Sequence, residues 1–187
     1  MTVSTQPPLL FLDVDGPLIP FGSASHSYPA YGPGPEAPGT GSNPILARID
    51  PRHGPRLAAL PCELVWATTW MDDANEWIGP RIGLPRLAVV RWPETSGDDG
   101  AAGWEEREEQ EVQDERSGLH WKTRALVAWA AGRPFVWVDD EITDIDRAWV
   151  AVHHPGRALL HRVDPRQGLT GSDFTALDSW LRRAVNA

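Results

Sequence analysis

Short apolar runs separated by amphipathic or polar segments give this chain the rhythm of a parallel α/β protein. Leu9 to Leu12, Glu63 to Ala67, Arg86 to Trp92, Pro134 to Val138 and Arg157 to Val163 are each a few residues long and closed by turn residues. That pattern predicts strands buried on both faces. Between them, helical spacing predicts a short helix over Pro51 to Leu60, with leucines at 57 and 60. A second is expected over Met71 to Ile78, its first turn acidic at Asp72 and Asp73. Thr123 to Ala131 carries an apolar face of Leu126, Val127, Trp129 and Ala130 and stops at Gly132, and a last helix runs from Ser172 to Val185. The alternation predicts a three-layer Rossmann-like parallel sheet with helices on both faces, residues 1–187 forming one domain.

Two stretches break the rhythm. The segment of about 17–44 is rich in Gly, Pro and Ser, which cannot hold a helix or a central strand, and contains Phe21, His26, Tyr28 and Tyr31. It reads as a flap over whatever lies at the end of the first strand, or as a loose insertion. The second stretch, about 94–118, includes seven acidic residues and two arginines between Trp104 and Arg116, a pattern that predicts a solvated excursion.

Composition narrows the function. A net charge of −9 argues against a broad, sequence-independent grip on nucleic acid but leaves room for a small basic pocket. The single cysteine, Cys62, has no internal partner, and Met1 to Pro8 lacks the basic and apolar regions of a leader. No apolar run is long enough to span a bilayer, so the expectation is a cytoplasmic protein with no membrane partner. Of seventeen basic residues only Lys122 is a lysine. Arginine and lysine differ at a tight site, so that single ammonium is a candidate on composition alone.

The chemistry collects at element ends. Asp13-Val14-Asp15-Gly16 closes the first strand, Thr68-Thr69-Trp70 the second, and Asp139-Asp140-Glu141 the fourth, with Asp144 and Asp146 close behind. Lys122 opens the helix before that fourth strand. Each piece has an ordinary use too: Asp-Gly makes turns and threonines cap helices. His153, His154 and His161 are not spaced like a metal site and read as surface or core residues. In a parallel sheet all strand ends face one way, so these groups can meet in one crevice. Together they fit phosphoryl transfer with a divalent ion: carboxylates hold Mg²⁺, the lysine and hydroxyls steady the phosphoryl oxygens, one carboxylate attacks phosphorus and another moves protons.

In this ordered set the chain resembles the haloacid dehalogenase superfamily of phosphohydrolases: Asp-x-Asp-Gly after an apolar strand, a strand ending in Thr, a lysine at a helix start, then an acidic pair. The resemblance implies Asp13 as nucleophile and metal ligand, and Asp15 as general acid/base that binds the metal through its carbonyl. It implies Thr68, or Thr69 if the strand runs one residue longer, with Lys122 as phosphate ligands beside Gly16. Asp140 would be the direct third metal ligand, with Asp139 and Asp144 in support. The Asp-Val-Asp-Gly-Pro-Leu opening and Thr-Thr-Trp are similar to small bacterial members grouped with RNA-repair-associated domains. The Gly/Pro-rich and acidic insertions look unlike that family's caps, so the expectation is no substantial cap domain, and the substrate is then a phosphorylated small molecule or a nucleic-acid end. A receiver-like signalling module is the rival of another class, but its lysine follows the other acidic and hydroxyl groups, whereas Lys122 precedes the second acidic cluster.

Overall fold

The computed structural model describes residues 6–22, 28–32, 43–92, 112–114 and 116–186. Strands β1 (Leu9–Leu12), β2 (Glu63–Trp66), β3 (Ala88–Val89), β4 (Phe135–Asp139) and β5 (Ala158–Arg162) form one sheet in the order β3-β2-β1-β4-β5. All pairings are parallel, with Leu9 opposite both Glu63 and Phe135. The helices are α1 (His53–Ala58), α2 (Gly79–Ile82), α3 (Thr123–Ala130), α4 (Asp144–His153) and α5 (Gly171–Val185). Much of the acidic stretch and of the Gly/Pro-rich segment lies outside the described residues, as do His26 and the residues around it.

Strand side chains alternate between two apolar layers. Leu10, Leu12, Trp66, Val136 and Val138 pack with Leu57, Ile78, Ile82, Phe174, Leu177 and Leu181, so α1, α2 and α5 cover one face. Leu9, Phe11, Val65, Phe135 and Trp137 pack with Leu126, Ala130 and Val150, so α3 and α4 cover the other. β1 and β4 are buried along their whole length, which is why they read as unbroken apolar runs. The connections leave β1 toward one side of the sheet and β4 toward the other. The sheet's switch point therefore falls between β1 and β4, where open α/β folds bind ligands.

Three elements depart from expectation. The third strand is only Ala88–Val89, because it pairs solely with Val65 and Trp66 and its approach is taken over by a side chain. The Asn75 carboxamide accepts from the Leu87 N–H and donates to the Leu87 carbonyl, at 2.8 and 2.9 Å, in place of a strand neighbour. The helix expected over Met71 to Ile78 is a π-helical turn, Ala74–Ile78, that continues into α2. Pro80 has no N–H for an α-helical ladder, and the Gly79 N–H closes the wider turn on Ala74. Finally, α4 was not anticipated. Thr143 caps it in a reciprocal box with Asp146, so Asp144 and Asp146 belong to its first turn.

Candidate active site

Four side chains meet at the switch point. Asp13 follows β1, Asp139 ends β4, Asp140 follows it, and Lys122 immediately precedes α3, on the side of the sheet that α3 and α4 cover. Lys122 Nζ lies 3.0 Å from Asp13 Oδ2 and 2.8 Å from Asp139 Oδ2. Oxygens of Asp13, Asp139 and Asp140 all lie within 4.8 Å of one another. All four residues are buried. Three carboxylates against one ammonium leave an excess of negative charge in a dehydrated space, an arrangement that calls for a further cation.

The carboxylates are not equivalent. Asp139 is completely buried and fully engaged: Oδ2 accepts from Lys122 Nζ and from Trp137 Nε1 at 3.1 Å, and Oδ1 from the Glu141 N–H at 3.0 Å. It anchors the lysine. Asp13 Oδ1 accepts the N–H of Val14 at 2.8 Å, which fixes its rotamer. The Asp140 carboxylate accepts no hydrogen bond from another residue among the described residues. Hard oxygen donors with spare lone pairs are what Mg²⁺ takes, so the donor set fits that ion.

Burial pushes the Asp13 carboxyl up to about 7, with Lys122 pulling it down and Asp139 adding repulsion. Asp140 is pushed up to about 6, first by burial and then by the charge of Asp139. Burial also opposes the charge on Lys122, but Asp13 and Asp139 outweigh it and hold the ammonium above its usual range. A carboxyl with a higher pKa folded than unfolded favours the native state while protonated. Its contribution is therefore lost as pH rises from about 4 to about 7. Asp146 and Asp173 lie below the ordinary range, so the stability they contribute is present above about pH 4 and is lost as pH falls below it. A cation that binds ionised carboxylates must displace those protons, so the Mg²⁺-induced rise in Tm should grow between pH 5 and pH 7.5. Differential scanning fluorimetry across that range checks this, and a rise independent of pH contradicts it.

Gly16 sits at φ +84°, and a Cβ there would lie 2.6 Å from the Asp140 carboxyl carbon. Only glycine allows the turn after the aspartates to pass this close to the second acidic loop. Gly16→Ala should cost about 1–3 kcal/mol in a denaturant melt and weaken Mg²⁺ binding, because Asp140 must move.

Asp15 is half-buried, and its Oδ2 accepts from Trp70 Nε1 at 2.9 Å. Thr68 lies two residues past β2 with no exposed surface, its hydroxyl accepting the Trp70 N–H at 3.3 Å and its carbonyl the Trp92 Nε1–H at 3.1 Å. Ala67 continues the ladder to Leu12, which brings Thr68 alongside the Asp13 turn. Thr69 is exposed, and Asp144 is exposed on the first turn of α4, outside the group of three close carboxylates.

Two positioning roles were not foreseen. In the sequence Trp70 is only a neighbour of the threonines, whereas in the structure its indole holds Asp15. Asp146 is fully buried and accepts from Thr123 Oγ1 and the His120 N–H at 2.7 and 2.8 Å, while its other oxygen takes the Thr143 hydroxyl and N–H. It thereby ties the turn carrying Lys122 to α4. The Thr-x-x-Asp spacing at 143–146 was the signal that could have found this. His120 accepts the Lys122 N–H on Nδ1 at 3.1 Å and faces Glu141 with Nε2 at 3.2 Å. His154 is buried with Nε2 against the Arg133 carbonyl, and His161 pairs with Asp173, both away from the acidic group. Burial pushes the Cys62 thiol up to about 12, which disfavours the nucleophilic thiolate. No helix among the described residues is long and apolar enough to cross a membrane. No protein-family model, curated protein or solved structure matches the chain.

Proposed function

We propose that this protein is a Mg²⁺-dependent phosphatase of the haloacid dehalogenase type that hydrolyses a phosphate monoester through an aspartyl-phosphate on Asp13. The supporting observation is the meeting of Asp13, Asp139, Asp140 and Lys122 at the β1/β4 switch point of a parallel sheet. Asp13 and Asp140 would hold the metal, with the Asp15 carbonyl; Asp139 serves instead as the fixed partner of Lys122, and Asp144 supports from the α4 turn. Bound Mg²⁺ supplies positive charge that keeps Asp13 ionised and offsets the phosphoryl oxygens.

The chain's own residues do the rest. The Val14 N–H fixes the Asp13 carboxylate so that a free lone pair attacks phosphorus. As the Asp13 oxygen bonds to phosphorus, the ester oxygen leaves and takes a proton from Asp15, which Trp70 steadies. Water then attacks the phosphorus of the acyl phosphate while Asp15 takes back a proton, releasing inorganic phosphate and the original Asp13 carboxylate. Lys122 donates to the phosphoryl oxygens throughout, and Thr68 with the Gly16 turn closes the other side of the group. The position of Lys122 ahead of β4 speaks against a receiver-like module.

Phosphate release from para-nitrophenyl phosphate, with Mg²⁺ and with a chelator, tests the reading. Release that requires the metal supports it, and none under either condition refutes it for simple esters. Trp70→Phe should lower kcat by about 10- to 100-fold on an alkyl phosphate. The loss should be much smaller on para-nitrophenyl phosphate, whose leaving group needs little protonation. Equal losses on both would contradict the link from Trp70 through Asp15 to the leaving group.

A further inference from the structure

A cavity of about 650 Å³ opens beside the aspartate turn, lined by Arg48, Arg52, Arg56 and Arg166 with Tyr28 and Tyr31. Among the described residues its one lining carboxylate is Asp50. In a chain of net charge −9, four guanidinium groups around one space are a marked local reversal of sign. Two of the four are already neutralised. Arg52 forks onto Asp50, with contacts of 2.7 to 3.0 Å, and Arg166 onto Asp164 at 3.1 Å. Arg48 and Arg56 are not. Among the described residues Arg48 donates to the Pro20 carbonyl and lies over the Tyr28 ring, and Arg56 lies over the Phe174 ring at 3.9 Å. Neither forms an ion pair with a carboxylate there. His53 adds a buried Nδ1 with no partner among the described residues, and burial holds the ring below its usual range.

The cavity's position links it to the reaction site. Arg48 to Arg56 precede α1 or lie in it, and Arg166 follows β5, so these segments stand at the carboxyl edge of the sheet, as Asp13 and Asp140 do. Pro17 and Leu18 form its wall, and the Leu18 N–H donates to the Val14 carbonyl at 2.9 Å, one residue from Asp13. On the far side the Leu169 N–H donates to the Pro17 carbonyl at 2.9 Å, which fixes the cavity's rim to the same turn. The cavity wall therefore begins at Pro17, on the turn that follows Asp13 and Asp15.

We infer that Arg48 and Arg56 form a second anion subsite, which takes another phosphate or phosphodiester group of the substrate whose terminal phosphate reacts at Asp13. Guanidinium groups match phosphate oxygens bidentately, and Tyr31, partly exposed at the rim, offers a ring face to an attached base. The subsite rests on the proposed phosphatase reading for its role in turnover, but its ligand can be tested without turnover.

Asp13→Asn protein is titrated with adenosine 3′,5′-bisphosphate and, separately, with adenosine 5′-monophosphate by calorimetry, with and without Arg48→Gln or Arg56→Gln. Each arginine replacement should weaken bisphosphate binding by about 10- to 100-fold, and the monophosphate by several-fold less. In the unaltered protein the Nε–Hε NMR signals of Arg48 and Arg56 should shift on adding the bisphosphate, which guards against variants that fold poorly. Equal affinities with and without the arginines, or unmoved arginine signals, would overturn the subsite. If the wild-type chain releases no phosphate yet the arginine dependence holds, the phosphatase reading fails and the anion site stands. A dinucleotide with a terminal phosphate, run in parallel, separates a phosphodiester from a second monoester as the favoured occupant.

Discussion

Asp13→Asn lowers phosphomonoester turnover by about 10⁴-fold or more, as expected when a group that forms the covalent intermediate is removed. The amide has the size of the carboxylate and can still accept the Val14 N–H, so the turn after β1 keeps its shape. What is lost is the charge, and with it both the attack on phosphorus and a metal ligand. Stability should move the other way. Burial makes ionised Asp13 unfavourable, so the metal-free variant should melt no lower than the parent at pH 7.5, although Lys122 then has Asp139 as its single carboxylate partner. A variant that is inactive because it is unfolded would show the opposite melting behaviour. Steady-state kinetics with a thermal melt on the same preparation separates the two.

Lys122→Met has the second largest effect, and it falls on both rate and stability. The ammonium is 3.0 Å from Asp13 and 2.8 Å from Asp139, all three buried, so its removal leaves two carboxylates without their common counter-charge. Breaking a buried pair from one side costs about 3–5 kcal/mol. Protonating the orphaned carboxylates relieves that cost, so the loss of Tm should be larger at pH 8 than at pH 5. Turnover should drop by about 10²- to 10³-fold, the scale of losing one fixed donor to transition-state oxygens. Methionine keeps the length of the stem, which separates lost charge from lost packing. A pH-independent loss of Tm would mean that Lys122 contributes mainly through its methylenes.

The elements most legible in the sequence are those with the least ambiguous environments. β1 and β4 are buried on both faces, and their continuous apolar runs can be little else. Helix α4 has no such signal. Ile145 and Val152 are exposed, Val150 is the buried apolar anchor, and the leading aspartates look like metal chemistry in a chain already rich in acidic strand ends. Asp146 turned out to be a cap that also braces the Lys122 turn. The short β3 reflects competition from a distant side chain, Asn75, and no local pattern announces that.

The site divides the same way. The residues that converge, Asp13, Asp139, Asp140 and Lys122, were visible because charge at the end of a buried strand has few structural uses. Which carboxylate is already saturated could not be read from spacing, since Asp139 and Asp140 are adjacent and differ only in the partners that tertiary structure supplies. The arginine cavity was hidden for a similar reason: Arg166 is far along the chain from Arg48 and Arg56, and all three are ordinary in composition. Their meeting beside the aspartate turn is a product of topology.

The most direct test of the central claim is a crystal structure of the chain grown with Mg²⁺ and beryllium fluoride. A trifluoroberyllate should be joined to the Asp13 carboxylate, with Lys122 Nζ in hydrogen-bonding range of a fluoride and the metal touching Asp13 and Asp140. Density on Asp139, on Asp140 or on a carboxylate outside this group would contradict it.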